Sequence, residues 1–191
     1  MSRYKGPRLK IIKRLGELPG LTSKKLLSKN TDSKKKLSQY AIRLETKQKL
    51  RYHYGVTEKQ LIRYIKKARN LKGSTGELVL QLLDMRLDNI LFRAGFTATI
   101  PEARQLINHG HILVNNHKIN IPSYTCQNQD QITSTSKKLI KDNIQRKQIQ
   151  LPSHLVVNFS ELQINILNNF RYNETGLKIN ELLVVEYYSR S

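Results

Sequence analysis

Positive charge is concentrated at the front of this chain, and this asymmetry limits how the chain can fold more than any other feature. Residues 1–73 contain 22 Lys and Arg against 4 Asp and Glu, a net charge of +18, whereas residues 74–191 contain 12 against 10. Such a surplus repels itself in a compact fold, and it is neutralised when Lys and Arg lie against the phosphates of a polyanion. The partner is therefore predicted to be a nucleic acid or an anionic membrane.

Membrane binding is the weaker alternative. No stretch approaches the ~20 apolar residues of a spanning helix, and the basic stretches lack the continuous apolar face of an interfacial helix. Residues 1–7 have neither the apolar core of a secretory signal nor the length of a transit peptide. We therefore expect a nucleic-acid partner, in the compartment that makes the protein. A single cysteine, Cys126, excludes an intrachain disulfide.

Residues 1–36 are predicted to be a basic arm that binds RNA. Gly and Pro alternate with Lys and Arg in this segment, a composition that water alone orders poorly. A flexible solubilising tail is the alternative, although six Leu and Ile residues between positions 9 and 21 are too apolar for a simple spacer. The cations assigned to RNA here are Arg3, Lys5, Arg8, Lys10, Lys13 and Arg14.

Residues 37–85 are predicted to form a helical domain that residues 150–191 complete. Apolar residues at positions 37, 40, 41 and 44 mark one helix, and a capping box at residues 57–60 begins a second. Another capping box at residues 74–77 predicts a third helix, which runs to about Gly95. The second helix has an apolar side and a basic side, and the basic side is assigned to RNA through Arg63, Lys66, Lys67 and Arg69.

Residues 86–149 are predicted to form a small RNA-binding module of two short helices on a small antiparallel sheet. Residues 99–102 form a capping box with Pro in the first turn, and Gly110 closes that helix. Residues 111–115 and 117–121 read as strands joined at Asn115 and Asn116, which tolerate the positive φ of a tight hairpin. The predicted fold class is therefore α+β: a mostly helical domain with this module inserted, preceded by a basic irregular arm.

The module carries a resemblance to a known family. RLDNILFR at residues 86–93 and ARQLINHGHI at residues 103–112 resemble the small RNA-binding domain named after small-subunit ribosomal protein four. Residues 2–10, 54–58, 73–77 and 182–190 resemble the same family, so nearly the whole chain is covered. Residues 151–155 and 176–181 are similar to the chloroplast form, and a Lys-, Asn- and Ile-rich composition suits an AT-rich organelle genome.

The chain departs from the family pattern in three places. Asn116 stands where members often have Gly in the hairpin, and Gln129 with Asp130 stands where a later turn often has Gly-Asp. These changes put the turn geometry in doubt, not the module. Some bacterial members carry a cysteine zinc knuckle near the front, but this chain has no cysteine before Cys126, so no zinc is expected.

The resemblance implies a structural constituent of the small ribosomal subunit, without enzymatic activity or cofactor, in the plastid stroma. It implies a primary binder of small-subunit ribosomal RNA that nucleates assembly of the subunit body and contributes to translational accuracy. Other small-subunit proteins, notably protein five, are implied as partners, and neither a membrane nor a homo-oligomer is expected. The nearly neutral segment 148–191 is expected to return to the helical domain and pack there.

One helix-plus-hairpin face of the module is predicted to contact phosphates and 2′-hydroxyls, recognising RNA shape rather than base sequence. Its members are Arg86, Arg93, Arg104, Gln105, His109, His111 and Lys118. A solvated polar face is the alternative, and for Arg86 with Asp88 so is an internal ion pair. A metal site at His109, His111 and His117 is disfavoured, because no carboxylate or thiolate joins them at the usual spacing.

Three alternatives remain open. Tyr4, Tyr52 and Tyr54 lie among basic residues, so they either stack on nucleotides or pack internally. An RNA-modifying enzyme such as a pseudouridine synthase can carry a similar module, but a catalytic domain has no room here, and no phosphate-binding glycine loop or nucleophile and base pair is found. A ribosome-rescue factor with the module alone is the third.

Overall fold

The structure is a computed structural model that describes residues 4–24, 38–135, 151–167, 177 and 179–189. The chain divides into two compact units, a helical unit of residues 1–79 with 177–191 and a sheet unit of residues 80–176. The described helices are α1 (Arg8–Leu15), α2 (Gln39–His53), α3 (Glu58–Arg69), α4 (Thr75–Asp84), α5 (Leu87–Arg93), α6 (Ile100–Asn108) and α7 (Glu181–Ser189). The described strands are β1 (Ile112–Val114), β2 (His117–Lys118), β3 (Gln131–Ser134), β4 (Leu155–Asn158) and β5 (Gln163–Ile166). The predicted α+β class is confirmed. No described helix is long and apolar enough to cross a bilayer.

The first segment of the helical unit is folded where the sequence predicted an irregular arm. Helix α1 buries Ile12 and Leu15, three residues apart on one side. After Gly16, Leu18 and Leu21 join Leu15 in a small apolar cluster that includes Leu177. The prediction of an irregular arm is therefore wrong for residues 8–15, because the spacing of the apolar residues allows a helix that buries them. Residues 4–7 and 16–24 contain neither helix nor strand. Residues 25–36 of the predicted arm lie outside the described residues.

Helix α3 begins at the predicted capping box. The Thr57 hydroxyl accepts the Gln60 N–H at 3.4 Å, and the Gln60 side-chain oxygen accepts the Thr57 N–H at 3.1 Å. Two N–H groups that would lack a partner at the helix start are thereby satisfied. The buried side of the helix consists of Leu61, Ile65 and Ala68. This prediction is confirmed, and it fixes which side of α3 faces outward.

Helix α7 packs on α2 through polar as well as apolar contacts. Arg43 Nε lies 2.6 Å from a carboxylate oxygen of Glu186, while Val184 is buried. The buried Lys47 places its Nζ 3.0 Å from Glu58 Oε1 and 4.3 Å from the centre of the Tyr187 ring. Residues 179–189 therefore belong to the helical unit.

Residues 151–167 do not complete the helical domain as predicted; they extend the sheet. The five strands are antiparallel in the order β2-β1-β3-β5-β4, and the register pairs Ile132 with Val114 on one side and Ile164 on the other. Leu162, Ile164 and Ile166 are buried at every second position. This period of two is the sequence signal of a half-buried strand, and it places the boundary of the sheet unit beyond residue 149.

The predicted helix from residue 74 to about 95 is broken at Arg86. Arg86 is extended, with φ −75 and ψ 139, and it forms an isolated antiparallel bridge with Thr125. The Leu87 N–H donates to the Tyr124 carbonyl at 2.9 Å, and the Cys126 N–H donates to the Met85 carbonyl at 2.9 Å. These strand-like bonds occupy backbone groups that a continuous helix would need, so α4 and α5 are separate helices.

Helix α6 and the hairpin that follows it agree with the sequence in outline. The Thr99 hydroxyl accepts the Glu102 N–H at 3.4 Å, but Glu102 accepts the N–H of Ala98, one residue earlier than in a standard capping box. Asn115 and Asn116 have φ of 49° and 65°, so both adopt the left-handed conformation of a tight hairpin. The hairpin prediction is confirmed with Asn in place of Gly.

Buried Asp130 stabilises the later turn that departs from the family pattern. Its two carboxylate oxygens accept the Asn115 side-chain amide at 2.8 Å and the Gln127 N–H at 2.7 Å. Gln129, the preceding residue, has φ of 69° where Gly would meet no strain. The carboxylate thus links the hairpin to the turn before β3 and maintains a glycine-like turn without glycine.

Candidate RNA interface

A cluster of charged side chains joins the start of helix α5 to helix α6. Arg86 is 2% exposed, and its guanidinium donates to both carboxylate oxygens of Asp88, at 3.0 and 2.7 Å. Arg104 Nε lies 2.7 Å from Oδ2 of the same carboxylate. The internal ion pair is therefore correct for Arg86. The assignment of Arg86 to RNA is wrong, because its charged group is buried.

The Arg104 side chain makes an internal ion pair and is only slightly exposed. Its side chain is 14% exposed, and its Nε is committed to Asp88 on the neighbouring helix. Arg104 shares the Asp88 carboxylate with Arg86, and this charge-assisted hydrogen bond restricts the orientation of its guanidinium. Arg104 therefore braces α6 against α5 first, and only a small part of the guanidinium remains for a contact outside the protein.

The structure brings the other predicted residues of α6 and the hairpin together at one corner. The His109 and His111 rings are 6.1 Å apart between centroids, on either side of Gly110. A Cβ placed on Gly110 would lie 1.9 Å from Lys118 Cε, so the lysine side chain crosses directly over this glycine. Gln105 precedes His109 by four residues, on the same side of the helix. We call this set the α6 corner, defined by Gln105, His109, His111 and Lys118.

The α6 corner is accessible. Gln105, His109 and Lys118 are exposed and His111 is half-buried. Gly110 has φ of +75°, a conformation that glycine adopts without strain, and the absence of a side chain leaves room for the lysine. Arg93, the remaining residue of the predicted face, is half-buried at the end of α5.

The helical unit presents a larger set of cations on α1 and α3, together with Lys5 just before α1. The predicted residues that are exposed there are Lys5, Arg8, Lys10, Lys13, Arg14, Arg63, Lys66, Lys67 and Arg69, whereas Arg3 lies outside the described residues. The buried side chains of α1 and α3 are all apolar. Arg8 and Arg69 each also donate to a backbone carbonyl, of Leu21 and Tyr188, at 3.4 Å. We call these nine residues the α1 and α3 cations.

Carboxylates are kept away from the exposed side of α3. Glu58 is the only acidic residue in this helix. It lies in the first turn, where it pairs with Lys47 and accepts a short hydrogen bond from the Tyr188 hydroxyl. Lys59 is exposed four residues before Arg63 and extends the cation row. The sequence assignment omitted Lys59, although the same spacing could have found it.

The buried Cys126 and the half-buried Tyr188 each have a shifted pKa. Burial raises the pKa of the Cys126 thiol far above its usual range, and the charges of Asp130 and Asp88 add to this. Burial also raises the pKa of Tyr188, together with its hydrogen bond to Glu58. Neither group is an activated nucleophile, because a raised pKa keeps each protonated at neutral pH. Within the described ranges, no group of three or more His, Cys, Asp or Glu could hold a metal ion.

Comparison with known proteins identifies the family. The chain matches the model of the ribosomal protein S4/S9 N-terminal domain over residues 3–84 and that of the S4 domain over residues 85–132. It is 58% identical over 201 residues to small ribosomal subunit protein uS4c of Marchantia romanica, with 100% of this chain and 99% of the relative covered. The chain belongs to the S4 family of ribosomal proteins. The resemblance read from residues 86–93 and 103–112 is thereby confirmed.

Other relatives of the same name agree with this S4 assignment. The proteins from Splachnum sphaericum and Chaetosphaeridium globosum are 57% and 55% identical over 201 and 203 residues, each with 100% of this chain and 99% of the relative covered. The name uS4c denotes the chloroplast-encoded form, so the predicted chloroplast type is confirmed. S4 ribosomal proteins are structural and non-enzymatic, which confirms the prediction that the chain is not an enzyme.

The limits of the two family models coincide with a feature of the structure. The first model ends at residue 84 and the second begins at residue 85, where α4 ends and the extended Arg86 follows. The S4 domain model stops at residue 132, within β3, so β4 and β5 lie beyond it. The sheet unit of this S4 protein is therefore larger than the domain model that it contains.

Proposed function

We propose that this protein is an RNA-binding structural constituent of the small ribosomal subunit in the plastid. One observation carries the proposal: all of the α1 and α3 cations except Lys5 stand exposed on helices whose other sides are buried, and the one carboxylate of α3 is paired with Lys47. Such a surface matches a polyanion, because each cation set against a phosphate releases condensed counterions. The relatives named above are small-subunit proteins, which agrees with ribosomal RNA as the polyanion.

The α1 and α3 cations act on phosphates. Lysine binds a phosphate as a point charge, and the arginines Arg8, Arg14 and Arg63 can present two parallel donors. Phosphate contacts fix the position and orientation of the RNA but do not read its sequence. The α1 and α3 cations therefore supply affinity for the arrangement of phosphates in a folded RNA rather than for its base sequence.

The α6 corner adds donors of a different kind. The imidazoles of His109 and His111 and the amide of Gln105 can donate to 2′-hydroxyls as well as to phosphates, while Lys118 supplies charge. The corner projects from a helix end and a hairpin of only a few residues, both fixed by the sheet unit. Such a compact set suits the minor groove of an RNA helix or a junction, where 2′-hydroxyls are accessible.

The role as a primary binder follows from preorganisation. Residues 8–21 pack through the chain's own leucines, and α7 is held on α2 by an ion pair and a buried lysine. A surface that is already ordered loses little conformational entropy when RNA binds. The protein can therefore bind ribosomal RNA without waiting for other proteins, nucleate assembly of the subunit body, and as part of that body contribute to translational accuracy.

A different surface suits other small-subunit proteins, notably protein five. Tyr40 is 61% exposed and lies 5.9 Å from the Tyr187 ring, and Leu182 is exposed on α7. The same helix carries Glu181 and Glu186 and no Lys or Arg between residues 181 and 189. The Glu186 carboxylate is paired with Arg43 and Lys47 with Glu58, so these cations are already neutralised, and the exposed aromatic and apolar side chains favour a protein interface over phosphate. We call the contacting pair Tyr40 and Tyr187 the α2–α7 patch.

A reconstitution experiment tests the proposed function. The purified protein is mixed with a transcript of plastid small-subunit ribosomal RNA, with and without the other small-subunit proteins, and binding is measured by filter retention. We expect tight binding to the transcript alone, and co-sedimentation with intact small subunits after a high-salt wash. Binding only when other proteins are present would exclude a primary role, and loss in the wash would favour a transient factor instead.

A further inference from the structure

Tyr4 is an aromatic side chain that is held in place and yet open to solvent. Its ring meets the Tyr52 ring edge-on, with 5.3 Å between centroids and 77° between planes. Its hydroxyl donates a long hydrogen bond of 3.5 Å to the Pro7 carbonyl. A Cβ on Gly6 would lie 2.6 Å from Tyr4 Cζ, so the ring lies against the glycine backbone at a distance that a side chain at position 6 would prevent.

Despite these contacts, Tyr4 is 39% exposed. The other tyrosines considered with it differ: Tyr54 is fully buried beside His53, and Tyr52 is half-buried. Packing therefore accounts for Tyr54, but it leaves a substantial part of the Tyr4 ring uncovered. An exposed tyrosine alone needs no explanation, whereas one fixed by three contacts has already lost the rotational freedom that an exposed side chain usually keeps.

The surroundings of Tyr4 are cationic. Lys5 and Arg8 are exposed on either side of Gly6 and Pro7, and the Arg51 guanidinium lies 5.1 Å from the centre of the Tyr52 ring. An aromatic ring interleaved with Lys and Arg is the arrangement that binds single-stranded nucleic acid, because bases stack on the ring while cations bind the flanking phosphates. The ring supplies a π surface, and its cationic neighbours supply the backbone contacts.

We propose that Tyr4 is a stacking platform for an unpaired base of the bound RNA. The uncovered part of the ring stacks on the base, Tyr52 and Gly6 hold the ring in position, and Lys5 and Arg8 bind the neighbouring phosphates. A fixed ring favours this contact, because little side-chain entropy remains to be lost. The inference rests on the proposed function, and it adds a site where a single unpaired nucleotide is held among contacts that otherwise recognise shape.

The absence of tryptophan from this chain gives a direct test. In the Tyr4→Trp variant the new indole is the sole tryptophan. Stacking of a base on this indole quenches its emission. We expect the small-subunit ribosomal RNA transcript to quench it by about half or more, and a short, fully paired RNA duplex to leave it nearly unchanged. The matched control is Tyr40→Trp, a more exposed position in the same unit on the α2–α7 patch, where the transcript should cause little quenching.

Affinity measurements separate stacking from charge. Tyr4→Leu should weaken binding of the transcript roughly tenfold, within the range for loss of one stacked base, whereas Tyr4→Phe should retain most of the affinity. Because no charge is removed, the slope of log affinity against log salt should stay the same, whereas Arg8→Gln should lower that slope. Circular dichroism melting of each variant shows whether the contact with Tyr52 is needed for folding.

The outcomes distinguish this inference from the proposed function. Full binding of the transcript with no quenching at position 4 overturns the platform and leaves the proposed function intact. Equal quenching at positions 4 and 40 also overturns it, because the change is then not local. Emission that responds only when another small-subunit protein is added makes Tyr4 a protein contact. No binding of the transcript by the parent protein overturns the proposed function itself.

Discussion

Arg86 and Asp88 form a bidentate ion pair inside the sheet unit, with 3.0 and 2.7 Å between their hydrogen-bonded atoms. Both side chains are almost completely buried. The pair lies where the chain leaves α4 and enters α5, and it therefore fixes the break between these helices as well as the position of Arg104. Arg86, which sequence patterns assign to RNA, thus stabilises the helices that carry the predicted RNA-binding face instead of contacting RNA itself.

Asp88→Ala should unfold the sheet unit more readily. The substitution leaves the Arg86 guanidinium buried without its carboxylate, and breaking a buried pair in this way costs about 3–5 kcal/mol. The free energy of unfolding is measured by urea denaturation. Glu161→Gln is the matched control, because Glu161 is an exposed carboxylate that accepts a hydrogen bond from Asn158 in a turn, and it should change stability by less than about 0.5 kcal/mol. Equal losses in the free energy of unfolding for the two variants would contradict the stabilising role of the Asp88 carboxylate.

Gly76→Ala should destabilise the helical unit, even though alanine favours helix. A Cβ at position 76 would lie 2.4 Å from Glu181 Cγ and 3.5 Å from the Glu181 backbone carbonyl carbon. Overpacking of this kind costs about 1–3 kcal/mol, against a gain of about 1 kcal/mol in helix propensity. The melting temperature of the full chain reports the balance. The double variant Gly76→Ala/Glu181→Ala removes the closest atom and should recover part of the loss; a single variant as stable as the parent would show that α4 and α7 are not in close contact.

Cys126 should be unreactive until the protein unfolds. The side chain is buried, and burial raises the pKa of its thiol, so no thiolate is available to a reagent near pH 8 in the folded state. Modification by a disulfide reagent should therefore follow unfolding in urea. Rapid reaction of the folded protein would contradict the burial.

The same thiol predicts a dependence of stability on pH. Its folded pKa is raised above the unfolded value of about 8.5, so the folded state keeps a proton that the unfolded state releases as the pH rises. The free energy of unfolding should be unaffected by this group below pH ~8.5 and should fall as the pH increases above that value. Cys126→Ala should flatten the profile between pH ~8.5 and 9.5, before tyrosines titrate. A profile that falls equally in both proteins would assign the effect to other groups.

Local sequence signals predicted those parts of the fold that local chemistry decides. The capping box at Thr57 and the left-handed pair Asn115 and Asn116 each depend on residues within four positions, and both are confirmed. The break at Arg86 depends on a bridge to Thr125, far along the chain, so helical periodicity alone extended α4 too far. Strands β4 and β5 were missed for a related reason, because each is four residues long and is stabilised by pairing with another strand, β5 with β3 and β4 with β5.

In the candidate RNA interface too, features set by local sequence were predictable and features set by distant packing were not. The α6 corner was predictable because helix spacing and a short hairpin bring Gln105, His109 and Lys118 together. The burial of Arg86 was not predictable, because it depends on the residues packed around this side chain. The neighbouring Asp88 indicated an internal ion pair only as an alternative to RNA binding. The α1 cations were expected on an irregular arm; their assignment to RNA remains a prediction, while the helix that presents them was missed.

The salt dependence of RNA binding tests the central claim most directly. Affinity for the small-subunit ribosomal RNA transcript is measured from about 50 to 200 mM salt, for the parent, for Arg63→Gln/Lys66→Gln/Lys67→Gln, and for Lys49→Gln, whose lysine is paired with Glu45. We predict that log affinity falls linearly with log salt, that the triple variant lowers the slope by about 0.7–0.9 for each lost contact, and that Lys49→Gln changes it little. A flat profile for the parent, or a slope unchanged in the triple variant, would contradict the account.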